Sequence, residues 1–588
     1  MEEKNIEMMC HSCAHLVAAA AQSLYPEAKF GVGPVVENGF YYDIDFGEPI
    51  GEEDLKKIEK RAKELFKQKI KFEREEMGID EAIKYFADNK QEYKVELLKD
   101  IKEKGTTKLD PEEADLADSV DHVSLYKTGD FVDLCRGPHV EHTKQVGVFK
   151  LTKLAGAYWR GDQNNAQLQR IYGVCFETKD ELNDYLHLIA EAEKRDHKKL
   201  GRELDLFSFH EEAPGFPFFK PKGTIIWNEL TKYWQEVHSL AGYGEVRTPV
   251  ILSKSLWEKS GHWDNYRENM YTTEIDEEEY AIKPMNCPGG MLLFREGIHS
   301  YRELPVRWAE IGLDHRHELS GVLNGLFRVR SFWQDDAHIF MTEEQIKDEI
   351  LGVINLADEI YSKFGLESNL ELSTRPKKSI GSDEAWEMAT KGLKDALDDS
   401  GREYVVNEGD GAFYGPKIDL HIKDALGRTW QCGTVQLDMN LPERFDLTYI
   451  DKDNSEKRPI MIHRVIYGSF ERFFGILIEH YAGAFPVWLS PVQVHFVPVS
   501  EKHVEGARKI AEEFKTLDIR VEIDEADETV GNKIRKSAKQ KHPYVLVVGD
   551  KELAGEDLMI RVRGQEEQEN IGKKEFIERV LEEIKDRK

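Results

Sequence analysis

"DHRHELSGVLNGLFRVRSFWQDDAHIF", Asp314 to Phe340, decides the fold. An apolar run ends in Arg316 and reads as a strand. Glu318 to Gly325 reads as a glycine-containing loop, and a second strand follows, carrying Arg328 and Arg330. The neighbouring runs "RWAEIGLDHRH", "GLFRVRSFWQDDAHIFM" and "TWQCGTVQLDM" are strand-like and separated by turns. That pattern predicts an antiparallel sheet rather than βαβ repeats. Arginines in such a loop suit phosphate, because the guanidinium is planar, stays charged and binds bidentately. The plainer reading is a hairpin whose arginines face solvent.

Moving outward, "HRVIYGSFERFFGILIEHY" (His463–Tyr481) reads as a long helix after a Gly-Ser turn. Arg472 falls one turn in, among apolar residues. A charge there calls for an anionic partner, since an unpaired buried charge is costly. The chain has neither G-x-x-x-x-G-K-[ST] nor G-x-G-x-x-G between a strand and a helix, so any nucleotide is held another way.

The 588 residues suggest about four domains at roughly 150 residues each. With 40% hydrophobic and 10% aromatic residues, the chain can build several packed cores. It has no run long enough for a transmembrane helix and no signal-like start, and six cysteines are too few for a disulfide framework. A reducing, cytoplasmic setting is expected. A net charge of −30 argues against a nucleic-acid coat protein, yet "EKRDHKKLGR" (Glu193–Arg202) and "NKIRKSAKQKH" (Asn532–His542) are local basic helices. "EEDLKKIEKRAKELFKQ" is an amphipathic helix, "GAYWRGDQNNAQLQRIYGVCF" reads as loop then strand, and Asp180–Arg202 reads as a helical linker. From Pro486, "VQVHFVPV", "IRVEIDEAD", "YVLVVGD" and "DLMIRVRG" are strands interleaved with helices, a separate small α/β domain.

"MMCHSCAHLVAAA" (Met8–Ala20) crowds Cys10, His11, Cys13 and His15 together. A haem anchor C-x-x-C-H needs histidine where Ala14 stands. A thioredoxin-like pair needs a preceding strand, and the preceding segment is polar and helix-like. His11 and His15, four apart in a helix-favouring run, share a face. Cys10 and Cys13 are given no role.

Arg316 with Glu318 resembles motif 2 of class II aminoacyl-tRNA synthetases. "GSFERF" resembles motif 3, and "GYGEVRTPVILSKSLW", with Pro249, resembles motif 1, the usual dimer interface. The HIGH and KMSKS signatures of class I are absent. "NCPGG", "RVRSFWQDDAHIF", "GAFYGPKID", "QCGTVQLD" and "MIHRVIYGSFERF" together resemble the threonyl-tRNA synthetase family, over essentially the whole chain.

That resemblance implies a multidomain α+β protein. Its parts are an editing domain (1–177), a helical linker (178–194), a class II catalytic domain (195–486) and an anticodon-binding domain (487–588). It implies a threonine–tRNA ligase that forms threonyl-adenylate from L-threonine and ATP with Mg2+, charges tRNA(Thr) as a homodimer, and hydrolyses Ser-tRNA(Thr). One Zn2+ per subunit would be held by Cys287, His338 and His463. Threonine would be contacted by Asp336, Gln334, Tyr414, Gln436 and Met285. ATP would be contacted by Arg316, Glu318, Arg328, Gln431, Ser469 and Arg472, and His262 would serve transfer to tRNA. Zinc with an open position suits an amine and a hydroxyl, which rejects valine but not serine. A second site is then expected. "DLCRGPHV" supplies Cys135 and His139, and H-x-x-x-H with C-x-x-x-H resembles the editing domain of threonyl- and alanyl-tRNA synthetases, without an obligatory metal in the threonyl case. His11, His15, Lys94, Asp133, Cys135 and His139 match it, with the histidines orienting water and Lys94 binding ribose or phosphate. Arg535, Glu552 and Arg561 match anticodon-facing positions.

Two departures from the family pattern are expected to matter: the small ubiquitin-like N-terminal domain is missing, and Gly290 stands where histidine is usual, which bears on the loop beside Cys287. Two other functions compete, an RNA-binding or regulatory relative that no longer charges tRNA, and a zinc hydrolase centred on His11, His15, Cys135 and His139. The presence of Arg316, Glu318 and Arg472 favours the ligase.

Overall fold

The computed structural model describes residues 2–36, 39–105, 121–162, 164–555 and 557–588. It forms two compact units, Met1–Ala190 and Glu191–Lys588.

The first unit begins with α1 (Glu2–Leu24), whose run "AHLVAAAAQ" is rich in the strongest helix former. Ser12 to Ala21 are buried without a break, as befits a helix apolar on all sides. It packs on β1 (Gly39–Asp45) and α2 (Glu52–Lys67), which buries Leu55, Ile58, Ala62 and Leu65 on one stripe. β2 (Phe72–Gly78), α3 (Glu92–Lys104), β3 (His122–Thr128) and β4 (Phe131–Leu134) follow, with β2, β3 and β4 forming an antiparallel sheet. β5 (Val148–Tyr158) and β6 (Gln167–Phe176) complete a sheet with β1. The segment read as loop then strand is divided differently. Gly156–Tyr158 already belong to β5, and a turn closed by Trp159 N–H donating to Ala166 O (2.9 Å) leads into β6. Gln163 in that turn lies outside the described residues.

The charged stretch read as one helix is two. α4 (Lys179–Arg195) stops at Asp196, whose carboxylate accepts from Lys198 N and Lys199 N and so starts α5 (His197–Glu203). α6 (Pro221–Leu240) opens on proline, where the missing N–H costs nothing.

The second unit is organised around one eight-stranded sheet. Its strands are β7 (Gly244–Glu245), β8 (Val306–His315), β9 (Ser331–Met341), β10 (Glu367–Ser373), β11 (Tyr404–Asn407), β12 (Lys417–Lys423), β13 (Thr429–Asp438) and β14 (Ile460–Val465). Their order across the sheet is β7-β8-β9-β14-β13-β12-β10-β11. Every pairing is antiparallel except those at the two edges, β7 with β8 and β10 with β11. The helix read after the Gly-Ser turn, α7 (Phe470–His480), is capped by Ser469 Oγ, which accepts from Arg472 N. Its Phe470, Phe473, Phe474 and Leu477 join the main core with Ile226 and Trp234 of α6.

Arg328 and Arg330 do not lie on the second strand. The 316–330 segment is a loop because its backbone is engaged elsewhere: Arg330 N donates to Gly215 O (2.7 Å), Asn324 N to Arg328 O (3.2 Å) and Arg316 N to Arg330 O (2.9 Å). The ladder of β9 starts only at Ser331, opposite His315.

The C-terminal part contains β15 (Val494–Pro498), β16 (Val521–Ile523), α8 (Val530–Lys539), β17 (Tyr544–Val548), α9 (Asp550–Ala554), β18 (Asp557–Val562) and β19 (Gln568–Gly572). Its sheet order is β16-β15-β17-β18-β19. β19 is one strand more than the sequence reading found, since "QENIG" has no apolar alternation to announce it. Arg520 joins this part to α6, donating to Glu229 Oε1 at 2.7 Å.

Candidate functional site

Strand register builds the first site. Gln334, Asp336 and His338 are two apart on β9, so they share one face. His338 lies directly opposite His463 of β14, and His463 lies opposite Gln436 of β13. Opposed residues in an antiparallel pair point the same way. The intervening Asp335 faces the other side, where its carboxylate accepts from Ile466 N, Tyr467 N (both 3.0 Å) and Gly468 N (2.9 Å). One strand thus carries reactive groups on one face and holds the turn before α7 with the other.

Cys287 closes the cluster from the start of the Cys287–Arg295 helix. A donor atom from each of Cys287, His338 and His463 lies within 4.8 Å of the other two, and all three residues are buried. His338 Nε2 has no hydrogen-bond partner. His463 Nε2 is 2.9 Å from Asp438 Oδ2, a carboxylate that would orient the ring and leave Nδ1 for a ligand. Burial holds the Cys287 thiol well above its usual range and His338 well below. One sulfur and two nitrogens, one nitrogen buried without a hydrogen bond and 3.7 Å from Asp336 Oδ2, fit a metal ion that retains an open position. Gly290 bears on this cluster, because a Cβ there would stand 3.3 Å from His338 Nδ1.

Around these donors, Asp336 is 7% exposed, and burial raises its carboxyl to about 6. Tyr414 donates to Gln436 Oε1, and its ring lies 5.3 Å from that of His463. His262 Nε2 is 3.0 Å from Met285 Sδ and 4.0 Å from Cys287 Sγ, while its Nδ1 meets Ser260 Oγ at 2.8 Å. Burial lowers His262 to about 4. Gly312 has no room for a side chain, as a Cβ there would meet Asn286 Oδ1 at 2.1 Å.

Beside this lies a cleft of about 380 Å³ that brings together Arg316, Glu318, Arg328, Gln431, Ser469 and Arg472. Arg316 donates to Pro284 O (3.2 Å) and packs against Tyr266 and Phe332. Arg472 donates to Phe327 O (3.1 Å) and Gln431 O (3.2 Å). The anionic partner expected for Arg472 is not a side chain: among the described residues neither Arg316 nor Arg472 has a carboxylate partner. Two guanidiniums held only by carbonyls and rings keep charge available for an anion. Arg328 differs, because it pairs with Glu318 (2.8 Å). Arg330 is spent on the loop, bonding Glu318 O, Pro214 O and Ser320 Oγ.

The first unit holds a separate cavity of about 640 Å³ lined by His11, His15, Lys94, Asp133 and Cys135. His11 Nε2 and His139 Nε2 each lie 3.3 Å from Cys135 Sγ. Ser12 Oγ donates to Met8 O (2.8 Å), accepts from Val140 N (3.0 Å) and meets His139 Nδ1 at 3.0 Å. With the single hydroxyl proton on Met8 O, Nδ1 carries the His139 proton and Nε2 is the basic nitrogen. Burial raises the Cys135 thiol to about 12 and lowers His139 to about 2, with His11 and His15 also lowered. A thiol held protonated is a poor nucleophile and suits a pocket-shaping place. Lys94 meets the cavity as one half of a buried ion pair. It is 2% exposed and paired with Asp133, which also accepts from Tyr42 Oη (2.5 Å) and lies 3.4 Å from His15 Nε2. Tyr42 and Ser12 escaped the sequence reading because each acts through a partner about 90 residues or more away.

The three C-terminal candidates are dispersed over α8, α9 and β18. Arg535 is exposed. Glu552 accepts from Gly549 N (2.9 Å), capping its own helix. Arg561 is half-buried, with Nε unpartnered.

Residues 271–481 match the model described as tRNA synthetase class II core domain (G, H, P, S and T). Residues 493–583 match the anticodon binding domain, and 123–172 the threonyl and alanyl tRNA synthetase second additional domain. The threonine–tRNA ligase of Carboxydothermus hydrogenoformans is 55% identical over 590 residues, spanning 100% of this chain and 90% of that one. That of Clostridioides difficile is 54% identical, spanning 100% and 89%. A crystal structure described as the RNA binding domain of threonyl-tRNA synthetase from Cryptosporidium parvum Iowa II has TM-score 0.64 and 42% identity, covering 66% of this chain and 98% of that one.

Proposed function

The chain belongs to the threonine–tRNA ligase family of class II aminoacyl-tRNA synthetases, and from that premise we propose how its residues divide the work. It is an ATP-dependent ligase that joins threonine to tRNA, with an editing-type domain. ATP with Mg2+ belongs to the class II core.

In the first step the threonine carboxylate attacks the α-phosphorus of ATP and pyrophosphate leaves. Arg316 and Arg472, which lack carboxylate partners, hold the phosphates in line for this displacement. Glu318 receives the adenine, with Arg328, Gln431 and Ser469 along the rest of the nucleotide. Asp336 binds the threonine ammonium, and Gln334, Tyr414, Gln436 and Met285 close around it. Cys287, His338 and His463 would hold a Zn2+, which when bound supplies an open position for the amine and hydroxyl. An apolar pocket would separate threonine from valine only about a hundredfold. In the second step a ribose hydroxyl of tRNA attacks the acyl carbon and AMP leaves. His262, neutral at pH 7, accepts that hydroxyl's proton.

In the first unit, water attacks the ester carbonyl of a seryl group, His11 at the cavity wall accepts the water's proton, and the tRNA ribose hydroxyl leaves, taking a proton up, while His139 holds Cys135 and so orients the site. Lys94, Asp133 and Tyr42 fix His15. Arg535, Glu552 and Arg561 are proposed to meet the anticodon, and the segment around Pro249 a second copy of the chain. No described helix is long and apolar enough to cross a membrane. A cytoplasmic location is proposed from the family.

The observation that carries the reading is the facing pair His338–His463 with Cys287 beside Asp336. The test is the Cys287→Ala variant. Zinc at this cluster should be lost, and threonine-dependent ATP–pyrophosphate exchange should fall with it. Unchanged zinc in a folded variant would place the metal elsewhere.

A further inference from the structure

Two buried histidines of the C-terminal part face each other and take no part in the steps above. His495 lies on β15, directly opposite Glu522 of the parallel neighbour β16. His542 stands just before β17, with its ring centroid 4.6 Å from that of His495. His495 is 3% exposed, and neither of its ring nitrogens has a hydrogen-bond partner. At such burial an imidazole with both nitrogens idle is unusual. His542 Nδ1 is engaged with Ser537 Oγ at 2.8 Å, which leaves Nε2 for another ligand. Glu522 Oε1 lies 3.7 Å from His495 Nδ1, and a donor from each of the three residues lies within 4.8 Å of the others.

We infer that His495, His542 and Glu522 form a second site for a divalent transition-metal ion of the Zn2+ class, completed by solvent. Two imidazoles and a carboxylate are a zinc-type donor set, and sparser soft ligation than at Cys287 makes it the weaker of the two. Burial supports the inference by holding His542 down to about 3 and lowering His495, so both lone pairs are open at neutral pH and the metal displaces no proton. The groups facing the pair have both signs: Lys222, Lys533 and Arg563 against Glu522 and Asp524. Lys222, on α6, is turned to the far carboxylate oxygen, 3.9 Å from Glu522 Oε2, and donates to Gln540 Oε1 (2.9 Å). Its hydrogen bond is made to Gln540, and its charge faces Glu522 on the oxygen away from His495. The cluster Asp196, His197 and Glu479 shows the contrast. There His197 Nδ1 meets Glu479 at 2.7 Å and Nε2 accepts from Leu326 N at 3.0 Å, so no nitrogen is left for a metal.

The experiment loads the full-length protein with Zn2+, removes excess by gel filtration and counts metal by mass spectrometry. The His495→Val/His542→Val variant should hold one zinc fewer per chain than the parent. With Co2+ in place of Zn2+, the ion lost should carry no thiolate charge-transfer band, because this site has no cysteine. That separates it from the clusters at Cys287 and Cys135. An equal metal count, or loss of a thiolate band, would overturn the inference. Hydrogen exchange in peptides covering residues 494–498 and 544–548 reports whether the C-terminal part of the double variant folds. If it does not, Glu522→Gln decides, because that side chain is 45% exposed and tolerates the change. At least tenfold weaker Zn2+ binding at one site supports the inference, and unchanged binding at every site overturns it.

Discussion

Lys94→Met tests whether Asp133 is a buried charge held by its neighbours. Lys94 and Asp133 side chains are 3% and 4% exposed. Breaking one side of such a pair costs about 3–5 kcal/mol, because the remaining charge is stranded in a poor solvent. Tyr42 Oη still donates to Asp133 in the variant, so the lower end, about 3 kcal/mol, is expected. For a unit of this size that is roughly 6–12 °C in melting temperature. Urea unfolding read by hydrogen exchange in peptides covering residues 8–20 confines the measurement to the first unit. Threonine-dependent ATP–pyrophosphate exchange, carried by the second unit, should not change. The Lys94→Met/Asp133→Leu variant removes both charges and should regain most of the stability, since apolar replacement of a buried pair is often neutral or favourable. It should not regain Ser-tRNA hydrolysis. A Lys94→Met protein as stable as the parent would refute the reasoning, as would a double variant no more stable than the single.

Asp336→Asn should lower kcat/KM for threonine about a hundredfold, the equivalent of about 3 kcal/mol for losing a desolvated charge partner, with KM for ATP nearly unchanged. Steady-state exchange with each substrate varied in turn checks this, and an equal effect on both substrates would contradict it. The pH dependence of the first unit follows from His11, His15 and His139, whose folded values lie below the unfolded 6.5. Below 6.5 the unfolded chain takes up protons that the folded chain refuses, so stability is full above 6.5 and falls as pH drops below it. About 1 kcal/mol should be lost by pH 5.5 through His139 alone, with His11 and His15 adding to it in the same direction, read as a lower urea midpoint for the same peptides. A midpoint equal to or above that at pH 7.5 would contradict this.

The catalytic sheet was legible because its strands alternate, and because Gln334, Asp336 and His338 are spaced by two on one of them. The partners of those residues were not legible from spacing. His463 meets His338 through strand register, and Cys287 arrives from a helix start 51 positions earlier than His338. Only the family resemblance joined them. The strand assignment failed at Arg328 and Arg330 because Phe327 and Val329 alternate with them as in a strand, while the backbone is bound to Gly215 and Arg316. The burial of Lys94 was hidden for a related reason. A lysine in a polar-looking helix gives no sign that it is buried against Asp133. His495 lies within an ordinary β-strand pattern and His542 at the end of a basic run read as a helix, and nothing in either segment points to the other.

The most direct measurement compares two reactions in the His11→Ala/His15→Ala variant. One is hydrolysis of preformed Ser-tRNA(Thr), and the other is threonine-dependent ATP–pyrophosphate exchange. If the two sites divide the work as proposed, hydrolysis should fall at least a hundredfold while exchange stays within twofold of the parent. Equal loss of both would mean that the histidines only support the fold. Retained hydrolysis would mean that the editing chemistry lies elsewhere.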